Sequence, residues 1–420
     1  MTTMKRSTKN LETSVEAYQW VKAGYQNAHK AKLEGRPVAW LMFGVPLEII
    51  YTMGIIPIFP ENYGTLCAAK RVGYKYCEAA EQHGFDKQIC SYARTVTGYT
   101  FHPDTIPEPP AGGLALPDIL IAPTAVCDLR QKWFEDVARR LDIPVYFIGM
   151  PDNDHTWKTG RPEKYLTDLF ISEVKDLIKF LEKTLDKKFD EDEFVQRWHW
   201  GNEAWDIRLD ILELRKNIPA PLSSADYFAS IFPGMTMLGT QEAVDFYKRM
   251  HAEVKERVEK KISVVPEEKF RLMWSGIPIW FNLGLLNYPE DLGGVMSIET
   301  NYQALPRERS DDPYMDLALR HFAKNFSLGV DSQVDLAMNF AQKYNIDGVI
   351  LSYTQSCRPF YIFQAEVRNN LQEKLGIPCL MLESDMADER AYSEGQVRTR
   401  MDAFLEIIMK KKESQLIDDR

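Results

Sequence analysis

The chain has 420 residues, of which 61 are acidic and 51 basic, so its net charge is −10 at pH 7. A surface with that balance argues against broad nucleic-acid binding, which needs a basic stripe. Hydrophobic residues make up 45% of the sequence, no run approaches the ~18 apolar residues of a membrane span, and the N-terminus is polar with no apolar signal segment behind it. We therefore expect a cytoplasmic protein of two or three domains.

The first part of the chain alternates short apolar runs with helical patterns. An amphipathic helix is predicted over residues 10–34, where apolar residues recur at three- and four-residue steps. Strands are predicted at 37–43, 55–59, 118–122 and 144–150, with helices between them. This order of strands and helices, with short loops, predicts a parallel sheet with right-handed crossovers.

The rest of the chain is predicted to hold helices and then a second parallel sheet. Its strand candidates are RLMWS, GVMSI, GVILSY and CLMLES. We predict an α/β fold with three parts: an N-terminal α/β domain with its leading helix over residues 1–151, a mainly helical connector over 152–266, and a C-terminal α/β domain over 267–420.

Three of the cysteines stand where an α/β protein places ligands. Cys127 and Cys357 each follow the third predicted strand of their half, and Cys90 begins a helical pattern. Ligands gather at the carboxyl ends of parallel strands, and a helix N-terminus favours the thiolate that binds metal. We interpret the three as ligands of one iron–sulfur cluster between the two halves, although plain core packing is an equal alternative from the pattern alone. Three thiolates would leave one iron of a four-iron cluster open for chemistry.

Several common sites are missing from the sequence. It contains no GxxxxGK[ST], GxGxxG, HExxH, CxxC or GxSxG motif, which argues against a conventional ATP, NAD or zinc enzyme and against a serine hydrolase. The other cysteines, Cys67, Cys77 and Cys379, lie inside a helical or strand pattern, and we interpret them as core residues.

Long segments carry a resemblance that is more specific than the cysteines alone. They are FPENYGTLCAAKRVGYKYCEAAEQHGFDKQICSYAR, PTAVCDLRQKWFEDVARRLDIPVYFIGMP and SCRPFYIFQAEVRNNLQEKLGIPCLMLESDMADERAYSEGQVRTRMDAFLE. The chain resembles, over nearly its whole length, the (R)-2-hydroxyacyl-CoA dehydratase and benzoyl-CoA reductase family, in particular its 2-hydroxyglutaryl-CoA dehydratase D-component subunits. The resemblance implies two flavodoxin-like domains and a [4Fe-4S] cluster held by Cys90, Cys127 and Cys357.

The resemblance also implies partners and a reaction. A homologous second subunit usually completes a heterodimer, and a separate ATP-hydrolysing iron–sulfur activator injects one electron. In the dehydratase branch that electron converts a 2-hydroxyacyl-CoA into a ketyl radical anion, which expels the hydroxyl group and acidifies the proton on C3. Loss of that proton and recovery of the electron then give a 2-enoyl-CoA. The reductase branch uses the same supply to reduce the ring of an aryl-CoA.

Three further positions correspond to residues of the family's site. Glu61 corresponds to the glutamate of the PEN-type loop and is a candidate for proton handling, although a carboxylate that begins a helix beside Asn62 is an equal interpretation. Tyr63 stands where a histidine is common, and Phe43 where some dehydratases carry a serine near the substrate. These two departures suit a bulkier, more aromatic substrate, and we predict that both residues contact it.

Other interpretations stay open. Arg94 and Arg358 are candidates for tuning cluster charge or holding a CoA phosphate, but surface ion pairs are favoured. Trp274, Trp280, Phe281 and Tyr288 suit an aryl pocket, although an ordinary core is favoured. Three functions compete with the dehydratase: an aryl-CoA reductase subunit, a homodimeric relative with a double-cubane cluster that reduces small molecules, and a cluster-free binding protein.

Overall fold

Two parallel sheets form the framework of the protein in the computed structural model, which describes residues 7–150, 162–324 and 328–418. The first sheet has the strand order β2-β1-β3-β4, and its strands are β1 (Val38–Leu41), β2 (Ile56–Ile58), β3 (Ile119–Pro123) and β4 (Val145–Ile148). The helices of this half are α1 (Glu12–Leu33), α2 (Leu47–Thr52), α3 (Pro60–Ala69), α4 (Gly73–Gln82), α5 (Ser91–Phe101) and α6 (Asp128–Leu141).

The second sheet repeats the arrangement of the first. Its order is β6-β5-β7-β8, and its strands are β5 (Phe270–Ser275), β6 (Gly294–Glu299), β7 (Gly348–Thr354) and β8 (Cys379–Ser384). All neighbouring strands in both sheets are parallel. The predicted α/β fold with two parallel sheets is therefore confirmed.

Helices fill the sequence between the two sheets and cover the second one. They are α7 (Lys164–Leu185), α8 (Glu191–Leu214), α9 (Ser224–Thr236), α10 (Gln241–Glu259), α11 (Pro313–Phe322), α12 (Val330–Lys343), α13 (Arg358–Tyr361), α14 (Gln364–Leu375) and α15 (Glu394–Asp418). Within the described ranges, no helix combines the length and apolar character needed to cross a membrane. The predicted domain boundary at 151/152 lies outside the described residues, and the one at 266/267 stays a prediction.

Burial on both faces explains why the strands read as unbroken apolar runs. Every residue of β1, β3, β5 and β6 is buried, as expected when helices cover both faces of a parallel sheet. The helices bury one face each: in α7 the apolar residues repeat every three or four positions and point into the core. The ends of the strands and the loops after them, which the helices leave uncovered, are therefore where a site is expected.

Asp316 joins α11 to the helices between the sheets. Its carboxylate, completely buried, accepts hydrogen bonds from Trp198 Nε1 at 2.8 Å, Asn202 Nδ2 at 2.7 Å and Arg307 Nη1 at 2.6 Å. Burial works to raise the pKa of Asp316, but the hydrogen bond and charge of Arg307, with the bonds from Trp198 and Asn202, lower it to about 2. A depressed pKa stabilises the fold above the unfolded value of about 3.9 and stops doing so as the pH falls towards 2.

Asp316→Asn is therefore expected to lower the free energy of unfolding at pH 7 by about 3 kcal/mol, because it leaves a buried guanidinium without its carboxylate. Between pH 5 and pH 2 the wild type should lose about 2 kcal/mol more than the variant. Urea unfolding midpoints across that range measure both effects. Asp206→Asn, which removes a half-exposed carboxylate from Arg309, is the control and should change stability little. An equal pH dependence in wild type and Asp316→Asn would contradict this account.

Candidate functional site

The carboxyl ends of both sheets open onto one cavity. It encloses about 1400 Å³, counting its open mouth, and its wall includes residues that follow β1, β3, β5 and β7, together with residues of α3, α5 and α9. In sheets of this strand order the first and third strands part at their carboxyl ends, and ligands bind in the crevice between them. Phe43 and Cys127 border that crevice in the first sheet, and Ile277 and Cys357 border it in the second.

The structure brings together the three cysteines that were predicted to share a site. Cys90, Cys127 and Cys357 all line this cavity, although 230 residues separate the last two in the chain. Burial raises the pKa of the Cys90 thiol, and the neighbouring Cys357 and Cys127 raise it further. The thiols are therefore within electrostatic reach of one another.

Each of these cysteines immediately precedes a helix. Cys90 stands before α5, Cys127 before α6 and Cys357 before the short α13. Burial raises the pKa of Cys357 to about 12, while the backbone N–H of Phe360 acts to lower it. Burial also raises the pKa of Cys127, against the charge of Arg130 and the N–H groups of α6. The N–H groups at the helix starts would favour thiolates over thiols once a cation is present to replace the lost solvation.

The donor set is of the kind that holds an iron–sulfur cluster. Among the described residues, no group of three or more His, Cys, Asp or Glu side chains is placed to hold one metal ion. An iron–sulfur cluster instead takes each thiolate on a different iron, so its ligands stand around a larger body. Three thiols on the wall of a largely apolar cavity suit the larger group.

The remaining cysteines lie away from the cavity wall. Cys67 and Cys77 are completely buried, and the Cys77 thiol lies 3.4 Å from Thr95 Oγ1. Cys379 begins β8 and is half-buried against the second sheet's core. Their placement agrees with their interpretation as core residues.

Glu61 faces the cavity as one half of an ion pair. It lies in the first turn of α3, where Pro60 takes the first helical position and leaves no N–H to satisfy. Glu61 Oε1 accepts hydrogen bonds from Arg130 Nη2 at 2.8 Å and Nε at 3.2 Å, and Oε2 accepts one from the Phe43 N–H at 3.3 Å. Arg130 Nη1 also donates to the Phe43 carbonyl at 3.2 Å. The carboxylate is therefore fixed in place at the cavity wall.

Arg130 is a site residue that the sequence interpretation missed. It lies in the first turn of α6, three residues after Cys127. Burial acts to lower the pKa of Arg130, but the charge and hydrogen bond of Glu61, together with the neighbouring Cys127 and Cys357, raise the pKa overall, so the guanidinium stays charged. The segment CDLR held a usable signal, since an arginine one helical turn from a cysteine at a helix start faces the same way.

The two predicted substrate contacts are placed differently. Phe43 lines the cavity and its ring stacks on Phe59, with centroids 5.1 Å apart. Tyr63 is completely buried, and its ring packs edge-on against Tyr25 and Tyr99. Tyr63 is not among the residues that line this cavity, because the turn of α3 that points Glu61 at the cavity points Tyr63 into the core. Its contact with a substrate stays a prediction.

The flanking arginines also differ from each other. Arg94 is buried and pairs with Glu81 at 2.7 Å and with Asp388 at 2.8 Å. It therefore ties α5 to the second half of the chain, inside the protein and not on a helix surface as predicted. Arg358 is exposed beside Cys357. Of the predicted aromatic group Trp280 lines the cavity, whereas Trp274 and Phe281 are buried in the second core.

Two residues of the cavity wall have a left-handed backbone. Val126, just before Cys127, has φ +77°, and Tyr302, in the loop after β6, has φ +67°. A left-handed backbone is unusual for a β-branched or bulky residue and recurs at functional sites. Both residues line the cavity. Sequence reasoning missed them because no side-chain pattern marks such a backbone.

The sequence matches known proteins along nearly its whole length. Residues 42–408 match the model of the family described as 2-hydroxyglutaryl-CoA dehydratase, D-component. The chain belongs to the 2-hydroxyglutaryl-CoA dehydratase D-component family.

Individual members of the D-component family match with moderate identity. The chain is similar to the (R)-phenyllactyl-CoA dehydratase alpha subunit of Clostridium sporogenes, at 29% identity covering 92% of this chain and 93% of that one. It is 28% identical to the lactoyl-CoA dehydratase alpha subunit of Anaerotignum propionicum, covering 91% and 93% of the two chains. A benzoyl-CoA reductase subunit of Thauera aromatica is 24% identical, covering 87% of each. These relatives include both dehydratase and reductase subunits.

Proposed function

We propose that this chain is the iron–sulfur subunit of a radical (R)-2-hydroxyacyl-CoA dehydratase. The observation that carries the proposal is the meeting of Cys90, Cys127 and Cys357 on one cavity beside the Glu61–Arg130 pair. Membership of the D-component family supports it, because named relatives are dehydratase alpha subunits. Those names also support a partner subunit. We further propose that this partner is homologous to the present chain and that an ATP-hydrolysing activator is the electron source.

In this proposal the three cysteines hold a [4Fe-4S] cluster. When bound, such a cluster supplies a low-potential electron and an open iron that acts as a Lewis acid. The chain's own residues do the rest: Phe43 and the apolar wall exclude water from the acyl group, and Arg130 fixes the Glu61 carboxylate where a proton is handled. The overall reaction removes the 2-hydroxyl group and a proton from C3 as water, and it consumes no electrons.

The chemistry assigned to Glu61 is general base and acid catalysis. After the hydroxide has left C2, its carboxylate takes the proton from C3 of the substrate radical and passes it to that hydroxide, so that water leaves. The two hydrogen bonds from Arg130 hold one oxygen, and the other remains near the cavity with a single weak bond from the Phe43 N–H. A positioned carboxylate of this kind typically contributes a factor of about 10² to 10⁴.

The aromatic lining favours a second candidate, a subunit of an aryl-CoA reductase. Phe43, Phe228, Trp280 and Phe360 all line the cavity, and a benzoyl-CoA reductase subunit is among the relatives. Flat aromatic side chains suit an aryl group, by offset stacking or edge contacts. The same lining suits the phenyl ring of a phenyllactyl group, so the lining alone does not separate the candidates.

Turnover separates the candidates directly. The anaerobic protein, with its homologous subunit, activator, ATP and a reductant, should convert phenyllactyl-CoA or lactoyl-CoA to the 2-enoyl-CoA, with far less than one electron consumed per product. Consumption of two electrons per benzoyl-CoA would instead establish the reductase. Failure to convert any of the three thioesters would overturn both candidates.

A further inference from the structure

The loop after β6 holds one aromatic residue in a strained and tightly clamped position. Tyr302 has φ +67°, in the left-handed region that bulky residues rarely adopt. Its carbonyl oxygen accepts a hydrogen bond from Arg208 Nη2 at 2.6 Å and another from the Tyr227 phenol at 2.9 Å. Strain of this kind persists only where the surroundings enforce it, and it clusters at functional positions.

The two clamping residues are themselves buried. Arg208 belongs to α8 and Tyr227 to α9, and both are more than nine-tenths buried. Among the described residues Arg208 forms no ion pair with a carboxylate, and its Nε has no hydrogen-bond partner. Its Nη2 donates to the Tyr302 carbonyl and, at 3.3 Å, to the Tyr227 hydroxyl, and a buried guanidinium held without a carboxylate is a costly arrangement. The cost is explained if a fixed position of Tyr302 is needed for function.

The Tyr302 side chain stands at the site described above. It lines the cavity together with Glu61 and Cys357, and it also borders a smaller cavity of about 480 Å³. Neighbouring phenols of this region are used within the protein: Tyr92 accepts from Trp280 Nε1, and Tyr227 donates to the backbone. The Tyr302 phenol makes no hydrogen bond with a described residue, so its donor is left for a ligand.

We propose that the Tyr302 phenol donates a hydrogen bond to the thioester carbonyl oxygen of the bound acyl-CoA. This inference rests on the proposed function. The carbonyl is common to 2-hydroxyacyl-CoA and aryl-CoA substrates, so the role holds for either candidate reaction. Tyr302 keeps its proton throughout. The electron comes from the activator and resides on the thioester, and Tyr302 stabilises the resulting negative charge on the thioester oxygen.

A donor of this kind acts most strongly on the charged state. A neutral carbonyl accepts an ordinary hydrogen bond, whereas the oxygen of the one-electron-reduced thioester carries negative charge and accepts a stronger one. Donors already aimed at developing charge in a water-poor site contribute about 10²- to 10³-fold to kcat. The fixed backbone of Tyr302 supplies that aim, because the ring does not have to move as the charge appears.

Tyr302→Phe tests the proposal with the loss of a single oxygen atom. In the anaerobic complex with the partner subunit and activator, kcat should fall about 10²-fold, KM should change about twofold or less, and iron content should stay at the wild-type value. Tyr314→Phe is the matched control, because this half-buried tyrosine lies outside the cavity and donates a hydrogen bond to Glu191 at 2.9 Å. Removal of its hydroxyl group should leave kcat unchanged. A kcat for Tyr302→Phe within about twofold of wild type would overturn the proposal.

A second measurement needs no turnover. 3-Phenylpropanoyl-CoA labelled with carbon-13 at the carbonyl lacks the 2-hydroxyl group and serves as a bound probe. Its carbonyl stretch should shift to lower frequency on binding to wild-type and Tyr314→Phe protein, and the shift should shrink in Tyr302→Phe. An equal shift in all three proteins contradicts the Tyr302 contact. If the wild type converts no substrate, the proposed function has failed, whatever the infrared result.

Discussion

Replacing Cys127 with alanine is expected to abolish the cluster and to reduce turnover by a thousandfold or more. Cys90→Ala and Cys357→Ala should do the same, since all three thiols line the same cavity and the proposed chemistry depends on the cluster that they would hold. Iron and acid-labile sulfide, measured on anaerobically purified variants in complex with the partner subunit, report the first effect. Product formation from phenyllactyl-CoA reports the second.

Cys77→Ala provides the control for these variants. Cys77 is completely buried, so its loss tests whether removing a thiol from the core disturbs the site indirectly. We expect wild-type iron content and turnover, with stability lowered by about 1 kcal/mol. If Cys77→Ala lost as much iron as Cys127→Ala, or if Cys127→Ala kept its iron, the assignment of the ligands would be wrong.

Replacing Glu61 with glutamine is expected to reduce kcat by about 10²- to 10⁴-fold while iron content stays at the wild-type value. The amide keeps the size of the side chain and accepts hydrogen bonds from Arg130, but it cannot take a proton. Because the lost interaction belongs to the reacting state, kcat and kcat/KM should fall together. Initial rates with phenyllactyl-CoA over a range of concentrations measure both.

The control for Glu61 is a carboxylate elsewhere on a helix start. Glu191 begins α8 and accepts from the Tyr314 phenol, so Glu191→Gln should leave kcat and iron unchanged. Arg130→Met serves as a second variant at the site: it frees the Glu61 carboxylate to move and should also reduce kcat. A rise in KM with unchanged kcat in Glu61→Gln would mean that Glu61 only binds substrate, and the acid–base role would be withdrawn.

The sheets were predictable because burial leaves a strong mark on sequence. Strands such as ILIAP and GVILSYT, covered on both faces, need apolar residues at nearly every position, and the proline and glycine breaks between them mark the loops. Once the strands were identified, the positions of the residues that follow them were also predictable. Once the sheet is parallel, Cys127 and Cys357 must emerge at carboxyl ends.

The sequence did not reveal which way individual side chains face or which distant residues they contact. Glu61 and Tyr63 are two residues apart on one helix, and the pattern did not reveal that one faces the cavity and the other the core. Arg94 looked like a surface residue because its partner Asp388 lies 294 positions away in the sequence. The strained backbone of Tyr302 depends on donors from two other helices, and no local pattern records such an arrangement.

Iron and acid-labile sulfide in the strictly anaerobic wild-type complex test the central claim most directly. The cysteine assignment predicts about four irons and four sulfides for each copy of this chain, lost when Cys90, Cys127 and Cys357 are replaced together and kept when Cys67, Cys77 and Cys379 are. An iron content near zero in active or inactive wild-type protein, or full iron in the variant that lacks the first three thiols, would contradict it.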